Sequence, residues 1–197
     1  MSEWRAWRRG STSGRAIAWL LVLVFAFSLG RRTDASGGST AAPQSPEYLI
    51  KAAYLYNFAM FVDWPPEAFP ASGAPIVIGV VGADPFGWAL DRMVQDKRIN
   101  NRPIVVERFK LGDDVRRCHI LFVSPAESAR IGDLVQRVGA QAVLIVGDES
   151  DTVSRGGTIA FTVKNDKVGF EINLSAARRA RLTISSKLLN LAQAVRG

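Results

Sequence analysis

Four short apolar runs constrain the fold of this chain more than any other feature of its sequence. They are Ile76 to Val81, Ile104 to Phe109, His119 to Val123 and Ala142 to Val146, and polar or amphipathic stretches separate them. Short continuous apolar runs are typical of strands that are buried on both faces of a sheet. Because strands alternating with helical stretches form a parallel sheet covered by helices, the pattern predicts an α/β fold.

Two connections between these runs carry the signals of a helix start. Gly82-Ala-Asp-Pro85 turns into a predicted helix that continues to about Val94. Ser124 and Pro125 open a second predicted helix that ends at Val138, with Ser124 as its N-cap and Pro125 in its first turn. Both helices belong to the layers expected on the faces of the sheet.

The last third of the chain has a different pattern. Thr158 to Val163 and Val168 to Ile172 predict two strands joined as a hairpin by the four residues 164–167. Ala176 to Leu182 and Ser185 to Val195 are predicted to be helical, the second with Ser185 as its N-cap. The full prediction is one α/β domain, with a largely parallel central sheet flanked by helices plus a C-terminal β-hairpin and helices.

The first predicted helix of this domain, Glu47 to Asp63, is rich in aromatic residues and stops at Trp64-Pro65-Pro66. Its apolar residues occupy most of its circumference, which indicates burial on most sides. One interpretation is a central core helix, and the other is that a second copy or a partner covers one face. The residues of the two apolar faces are Leu49, Ala53, Tyr56 and Met60, and Ile50, Tyr54, Phe58 and Phe61.

The N-terminus has the pattern of a secretory leader. Arginines precede the 14-residue apolar run from Ala16 to Leu29, which is shorter than the roughly 20 residues of a spanning helix. We therefore predict a signal peptide over residues 1–35, with an uncleaved anchor as the alternative, a flexible linker over 36–46 and the domain over 47–197. Either form of the leader exports the domain from the cytoplasm.

Charge and composition exclude several classes of protein. Six arginines against two acids give residues 1–35 a net charge of +4 out of the total of +7, so the basic character belongs largely to the leader and does not indicate a nucleic-acid partner. One cysteine, Cys118, and one histidine, His119, allow neither an internal disulfide nor a Cys/His zinc site.

No group of residues predicts catalysis. Gly79, Gly82 and Gly87 lack the spacing of a dinucleotide loop. Cys118 and His119 are neighbours in a strand and point to opposite faces, so we interpret them as core residues. Asp148, Glu149 and Asp151 follow a strand and are a metal candidate, although a solvated acidic turn is the commoner case. We expect no catalytic residue, no metal and no cofactor.

A basic cluster on a predicted helix has several interpretations. Arg178, Arg179 and Arg181 lie within one helical turn of each other. They suit an anionic ligand, lipid head groups or an acidic partner, and they equally suit a solvated helix face. The sequence does not separate these alternatives.

Five stretches in series carry a resemblance to a known family. They are Lys51 to Phe58 with the following Phe61 to Pro65, then Asp84 to Gly87, Cys118 to Ser124, and the segments between Val168 and Leu189. In this order they resemble the YfiR family of periplasmic proteins over about residues 47–195.

This resemblance implies a periplasmic regulator that forms homodimers. Members are similar to the repressor that binds the outward-facing part of a membrane diguanylate cyclase, which lowers cyclic di-GMP and biofilm formation. An outer-membrane lipoprotein is the implied sequestering partner. Better-known members carry internal disulfides, which a chain with Cys118 alone cannot form.

The resemblance and the aromatic helix together indicate the residues that would bind a partner. They are Tyr54, Asn57, Phe58, Phe61, Trp64, Glu171, Asn173, Arg178, Arg179, Ser186 and Lys187. One alternative function is a periplasmic small-molecule sensor or carrier with a pocket at the carboxyl ends of the parallel strands. Another is a hydrolase that uses Ser124, Ser185 or Ser186.

Overall fold

The computed structural model describes residues 45–197, so the predicted leader and most of the predicted linker lie outside the described residues. The helices are α1 (Pro46–Phe61), α2 (Trp88–Val94), α3 (Ile131–Val138), α4 (Leu174–Arg179) and α5 (Ser186–Leu191). The strands are β1 (Val62–Asp63), β2 (Ile76–Val81), β3 (Arg98–Ile99), β4 (Arg102–Phe109), β5 (Ile120–Val123), β6 (Leu144–Gly147), β7 (Ile159–Lys164), β8 (Lys167–Asn173), β9 (Thr183–Ile184) and β10 (Ala194–Arg196).

Eight of these strands form the central sheet, in the order β10-β8-β7-β6-β5-β2-β4-β3. The strands β4, β2, β5, β6 and β7 are parallel to one another, β8 returns antiparallel to β7, and β10 runs parallel to β8. The predicted α/β fold with a largely parallel sheet and a C-terminal hairpin is therefore confirmed.

Alternating side chains of the sheet fill two separate hydrophobic layers. On β5, Ile120 and Phe122 pack into the layer that includes the buried faces of α1, α2 and α5. Leu121 and Val123 pack into the other layer, against α3. Because both faces are covered, the central strands consist almost entirely of apolar residues, which explains why they are continuous apolar runs in the sequence.

The helix α1 begins where the sequence indicates, and it ends at Phe61, two residues before the predicted end at Asp63. Pro46 occupies the first turn and Glu47 supplies the acidic residue there. The helix ends at Phe61 because Val62 and Asp63 pair with Ile184 and Thr183 in the two-stranded ribbon β1-β9. Its five buried residues lie on one side, whereas Leu49, Ile50 and Met60 are exposed. The domain therefore does not bury this helix on most sides by itself, and cover of the exposed face by a second copy or a partner stays a prediction.

Ser124 does not cap a helix through its side chain, which corrects the expectation for this segment. A 3-10 helix over Pro125–Arg130 comes first, and α3 begins only at Ile131. The Ser124 hydroxyl is buried and makes no capping hydrogen bond. The carbonyl of Ser124 instead accepts the backbone N–H of Glu127 at 2.9 Å.

The C-terminal segment combines one confirmed prediction with one correction. Asn165 and Asp166 connect β7 to β8 with positive φ angles of 50° and 58°, the backbone of a tight type I′ hairpin. The predicted helix from Ser185 to Val195 is too long, since α5 ends at Leu191 and residues 194–196 form β10. No helix within residues 45–197 has the length and apolar content needed to cross a membrane.

Candidate functional site

The outward side of α1 is uncharged along its whole length. We define the uncharged face of α1 as Leu49, Ile50, Ala53, Tyr56, Asn57 and Met60. Leu49, Ile50 and Met60 are 42%, 45% and 41% exposed. Between Glu47 and Asp63 the helix has one charged residue, Lys51, which is only 2% exposed and lies on the opposite side. A helix face without charge that points to solvent is a feature of interaction surfaces.

Aromatic packing holds the other side of α1 against the sheet. The Phe58 side chain is fully buried, and its ring centroid lies 5.1 Å from that of Phe170 on β8 and 5.9 Å from that of Phe161 on β7. The half-buried Tyr54 ring packs edge-on against Phe170 at 5.2 Å. Two of the residues predicted for partner binding, Tyr54 and Phe58, therefore fix the orientation of α1 on the sheet.

The C-terminal end of α1 meets the start of α5. The carbonyl of Phe61 accepts the backbone N–H of Ser185 at 3.0 Å. This bond continues the pairing of β1, which follows Phe61, with β9, which precedes Ser185. Ser186 and Lys187 are exposed at the first turn of α5. The structure thus brings the predicted residues Phe61, Ser186 and Lys187 into one region of the surface.

Trp64 continues this region toward the sheet. Its Nε1–H donates to the carbonyl of His119 at 3.2 Å, and its ring packs edge-on against the His119 ring at 5.9 Å. Nearby, Arg181 pairs with Glu67 at 2.6 Å, which ties the turn after α4 to the segment after β1. Trp64 is half-buried and so has a clear packing role of its own.

A buried ion cluster joins the first turns of α1 to the end of β6. The Lys51 ammonium donates to the carboxylates of Asp148 and Glu47, and the side chains of Lys51 and Asp148 are both 3% exposed. The Tyr48 hydroxyl donates to the other carboxylate oxygen of Asp148 at 2.7 Å. Burial and this hydrogen bond raise the pKa of Tyr48, so the phenol stays protonated.

The interpretation of Asp148 as part of a solvated acidic turn is therefore wrong. Glu149 is exposed and Asp151 pairs with Arg155 at 2.6 Å, so the three acids do not converge on one point. Among residues 45–197, no group of three or more histidine, cysteine or acidic side chains is arranged to hold a metal ion.

A cavity of about 630 Å³ opens beside this cluster. It lies at the carboxyl ends of the parallel strands, because Pro125 follows β5 and Asp148 follows β6. Ligands of open α/β sheets bind at this edge. The residues that line it are Glu47, Tyr48, Lys51, Pro125, Asp148, Glu149, Ser150, Phe161, Thr162, Val163, Lys164 and Glu171.

The remaining predicted residues lie around β8 and α4. Glu171 lines the cavity and its carboxylate accepts from Arg196 at 2.9 Å. Asn173 caps α4, since its Oδ1 accepts the backbone N–H of Ala176 at 2.9 Å. Arg178 and Arg179 are exposed on the last turn of α4. The structure thus places Glu171 at the cavity, paired with Arg196, and Asn173 in a structural role.

Cys118 and His119 point to opposite sides of the sheet, as the sequence predicts. Cys118 packs in the layer of α3, and burial raises the pKa of its thiol to about 12. His119 stacks on Phe69 at 4.5 Å and accepts the Val77 N–H through Nδ1 at 3.0 Å. Burial lowers the pKa of His119 to about 4, with a smaller contribution from the charge of Arg102. The two side chains cannot act as a dyad.

Tyr48 and Lys51 belong to a polar cluster that sequence patterns alone do not reveal. The available signal was a single lysine inside an apolar helix, with Glu47 one turn before it. A lysine in that position is rarely buried without a partner. The partner itself could not be named, because Asp148 is 97 residues away.

The model of the family described as YfiR/HmsC-like matches residues 48–193. A search of curated proteins finds no match. The crystal structure of a conserved domain protein from Vibrio cholerae O1 biovar El Tor has a similar fold, with a TM-score of 0.51 and 14% sequence identity. The alignment covers 77% of this chain and 60% of that one, so the chain spans less than two thirds of the length of that protein.

Proposed function

Because the chain belongs to the YfiR/HmsC-like family of periplasmic regulators, we propose that it represses a membrane-bound diguanylate cyclase by direct contact with the periplasmic part of that enzyme. Repression lowers the production of cyclic di-GMP and with it biofilm formation. The family is regulatory and non-catalytic, so its action on the cyclase is stoichiometric binding.

The observation that carries this proposal is the uncharged face of α1. Exposed Leu49, Ile50 and Met60 lie on it beside Tyr56, and no exposed charge interrupts it. The cores of protein interfaces are depleted in charged residues and enriched in aromatic residues and methionine. A partner with an apolar surface in its periplasmic region would bury this face on contact.

Two further partners belong to the proposal. A second copy of the chain forms the homodimer, and an outer-membrane lipoprotein sequesters the protein and so relieves repression. Export to the periplasm is the condition for all three contacts, and the leader predicted over residues 1–35 supports it.

Deletion of the gene tests the proposal in the cell. In a strain that keeps its membrane cyclases, we expect cyclic di-GMP to rise after deletion and to return to its starting level when the wild-type gene is restored. Complementation with a Met60→Glu variant should fail, since the charge lies on the uncharged face. Cyclic di-GMP that stays unchanged after deletion would contradict repression of a cyclase.

A second candidate function is the binding of a small molecule. The observation that favours it is the cavity at the carboxyl ends of β5 and β6, which is of the size of known ligand sites.

A further inference from the structure

A loop segment covers the ring of His119. We define the strap as residues 64–75, which connect β1 to β2. Phe69 of the strap stacks on the imidazole with ring centroids 4.5 Å apart, and Trp64 packs edge-on against it at 5.9 Å. With these contacts His119 is only 4% exposed. The ring therefore cannot reach water while the strap is in place.

The hydrogen bond of this ring has a direction that a protonated histidine cannot keep. The Nδ1 atom of His119 accepts the backbone N–H of Val77 at 3.0 Å, so Nδ1 itself carries no hydrogen. In an imidazolium both ring nitrogens carry a hydrogen, and Nδ1 would then face the Val77 N–H as donor against donor. The protonated ring has to leave this position, because a backbone N–H cannot become an acceptor.

The charge that acts on the ring is positive. The Arg102 guanidinium on β4 lies 3.7 Å from the centroid of Phe69, the ring that stacks on His119. Burial lowers the pKa of His119 to about 4, and the charge of Arg102 acts in the same direction, while the carbonyl of Ala68 opposes them. An imidazolium in this position is therefore both desolvated and repelled.

The acidic groups of the neighbouring elements do not compensate this charge. Glu67 of the strap pairs with Arg181, and Glu107 of β4 pairs with Arg117, each at 2.6 Å. The strands β2 and β6 contain no charged residue, and Asp63 at the end of β1 is exposed to solvent. Within residues 45–197, no carboxylate adds to the charges that act on the histidine ring.

The strap has few other attachments to the domain. Each of its residues is half-buried or exposed, and none is fully buried. Arg102 donates to the carbonyls of Ala71 and Ala74 at 3.1 Å and 2.9 Å, and the Trp64 Nε1–H donates to the carbonyl of His119 at 3.2 Å. Segments with few buried contacts open locally at a lower free energy than the core. Loss of the stack on His119 therefore removes much of what holds the strap.

We propose that the strap is an acid-released element, in which protonation of His119 expels the imidazole from its place under Phe69 and opens residues 64–75 while the central sheet stays folded. Because the strap begins directly after β1, its release changes the surface next to the C-terminal end of α1. The inference concerns a conformational property of the fold and does not rest on repression of a cyclase.

Hydrogen exchange on the full chain purified from solubilised envelopes tests the proposal. The probes are the backbone N–H groups of Phe69, Ala74 and Val77, which donate hydrogen bonds within the strap or to His119. Their protection factors, corrected for the effect of pH on the chemical exchange rate, should fall about twentyfold between pH 7 and pH 5. This is the ratio expected when the pKa of His119 is about 4 in the closed state and 6.5 in the open state.

The same protein supplies internal controls. The backbone N–H groups of Thr158 and Asn173 donate to carbonyls within the central sheet. They should stay better protected than the strap at pH 5, because they exchange only when the whole domain unfolds. The matched variant is His119→Asn, which keeps an acceptor for the Val77 N–H and does not titrate. In this variant the protection of the strap should change by less than about threefold between the two pH values.

Two outcomes in the wild type alone would overturn the proposal. One is protection of the strap that is the same at pH 7 and pH 5, and the other is equal protection of the strap and the control N–H groups at pH 5, which would mean unfolding of the whole domain. An undiminished fall in His119→Asn would assign the release to another group and overturn it as well. Since no cyclase takes part in these measurements, their failure would leave the proposed repression untouched.

Discussion

The ammonium group of Lys51 contacts the carboxylate of Asp148, although the two residues are 97 positions apart in the chain. Both side chains are 3% exposed. This ion pair connects the first turns of α1 to the end of β6, so it fixes the helix that carries the uncharged face to the central sheet. A buried charge requires its partner, which makes the pair sensitive to the loss of either member.

Loss of Lys51 should destabilise the protein strongly. In Lys51→Met the Asp148 carboxylate stays buried without its cation, and we expect the free energy of unfolding to fall by about 3 kcal/mol. Urea denaturation followed by circular dichroism measures this change. The exposed Lys187→Met is the matched control and should change stability by less than about 0.5 kcal/mol.

A double variant separates the ion pair from general packing. Lys51→Met combined with Asp148→Asn removes both charges, and we expect it to recover at least half of the lost stability. If the double variant is as unstable as the sum of the two single variants, the buried charge is not the cause of the loss.

Asn173 should contribute to stability through its cap of α4. Asn173→Ala removes the bond to the N–H of Ala176 and the bond from Nδ2 to the carbonyl of Val153, so we expect a loss of about 1–2 kcal/mol in urea denaturation. Asn57→Ala on the uncharged face is the control and should have an effect of less than about 0.5 kcal/mol. Equal stability of the two variants would contradict the capping role.

His119 should make the folded state sensitive to mild acid. Its folded pKa is lowered from 6.5 to about 4, so between these values the unfolded chain binds a proton that the folded protein does not. The contribution of His119 to stability is therefore fully present above 6.5, the pKa of this residue in the unfolded chain. The free energy of unfolding falls as the pH decreases, by about 2 kcal/mol from pH 7 to pH 5.

The matched variant for this pH dependence is His119→Asn. Its side-chain oxygen can still accept the Val77 N–H, which His119 accepts through Nδ1, but it does not titrate. Urea denaturation at several pH values should show a flatter profile in the variant between pH 5 and 7. Parallel profiles for both proteins would assign the acid sensitivity to other groups.

Cys118 should be unreactive in the folded protein. Burial raises the pKa of its thiol to about 12, and a methyl group added at Gly79 would lie only 2.5 Å from its Sγ atom, so the sulfur is closely packed. Ellman's reagent should label the thiol in guanidinium chloride and leave it unlabelled in buffer. Rapid labelling of the native protein would show that Cys118 is accessible and could form an intermolecular disulfide.

The sequence predicts β2, β5 and β6 well because each of these central strands is a continuous apolar run. Ile76 to Val81 has the same limits in the sequence analysis and in the structure. The predicted helix from Ser185 to Val195 is longer than the observed α5, which ends at Leu191, and the difference has a physical reason. The edge of β8 offers backbone partners, and residues 194–196 pair with it as β10, so tertiary hydrogen bonds override a helical spacing of side chains.

The candidate site was predictable only in part. The aromatic content of α1 indicates an important helix, but the side that faces solvent depends on where Phe161 and Phe170 lie. The pairing of β1 with β9 involves two residues on each strand, which is too short for a recognisable pattern. The partner of Lys51 depends on the fold of the whole domain.

Repression by direct contact can be tested by capture of partners with the tagged full chain from solubilised envelopes, followed by mass spectrometry. Met60→Glu places a charge on the uncharged face, and Leu111→Glu is its matched control because both side chains are 41% exposed. We expect the wild type and Leu111→Glu to recover a membrane protein with a periplasmic region and a cytoplasmic cyclase domain, and Met60→Glu to fail to recover it. Absence of such a protein from the wild-type sample, or its equal recovery by Met60→Glu, would contradict repression through the uncharged face of α1.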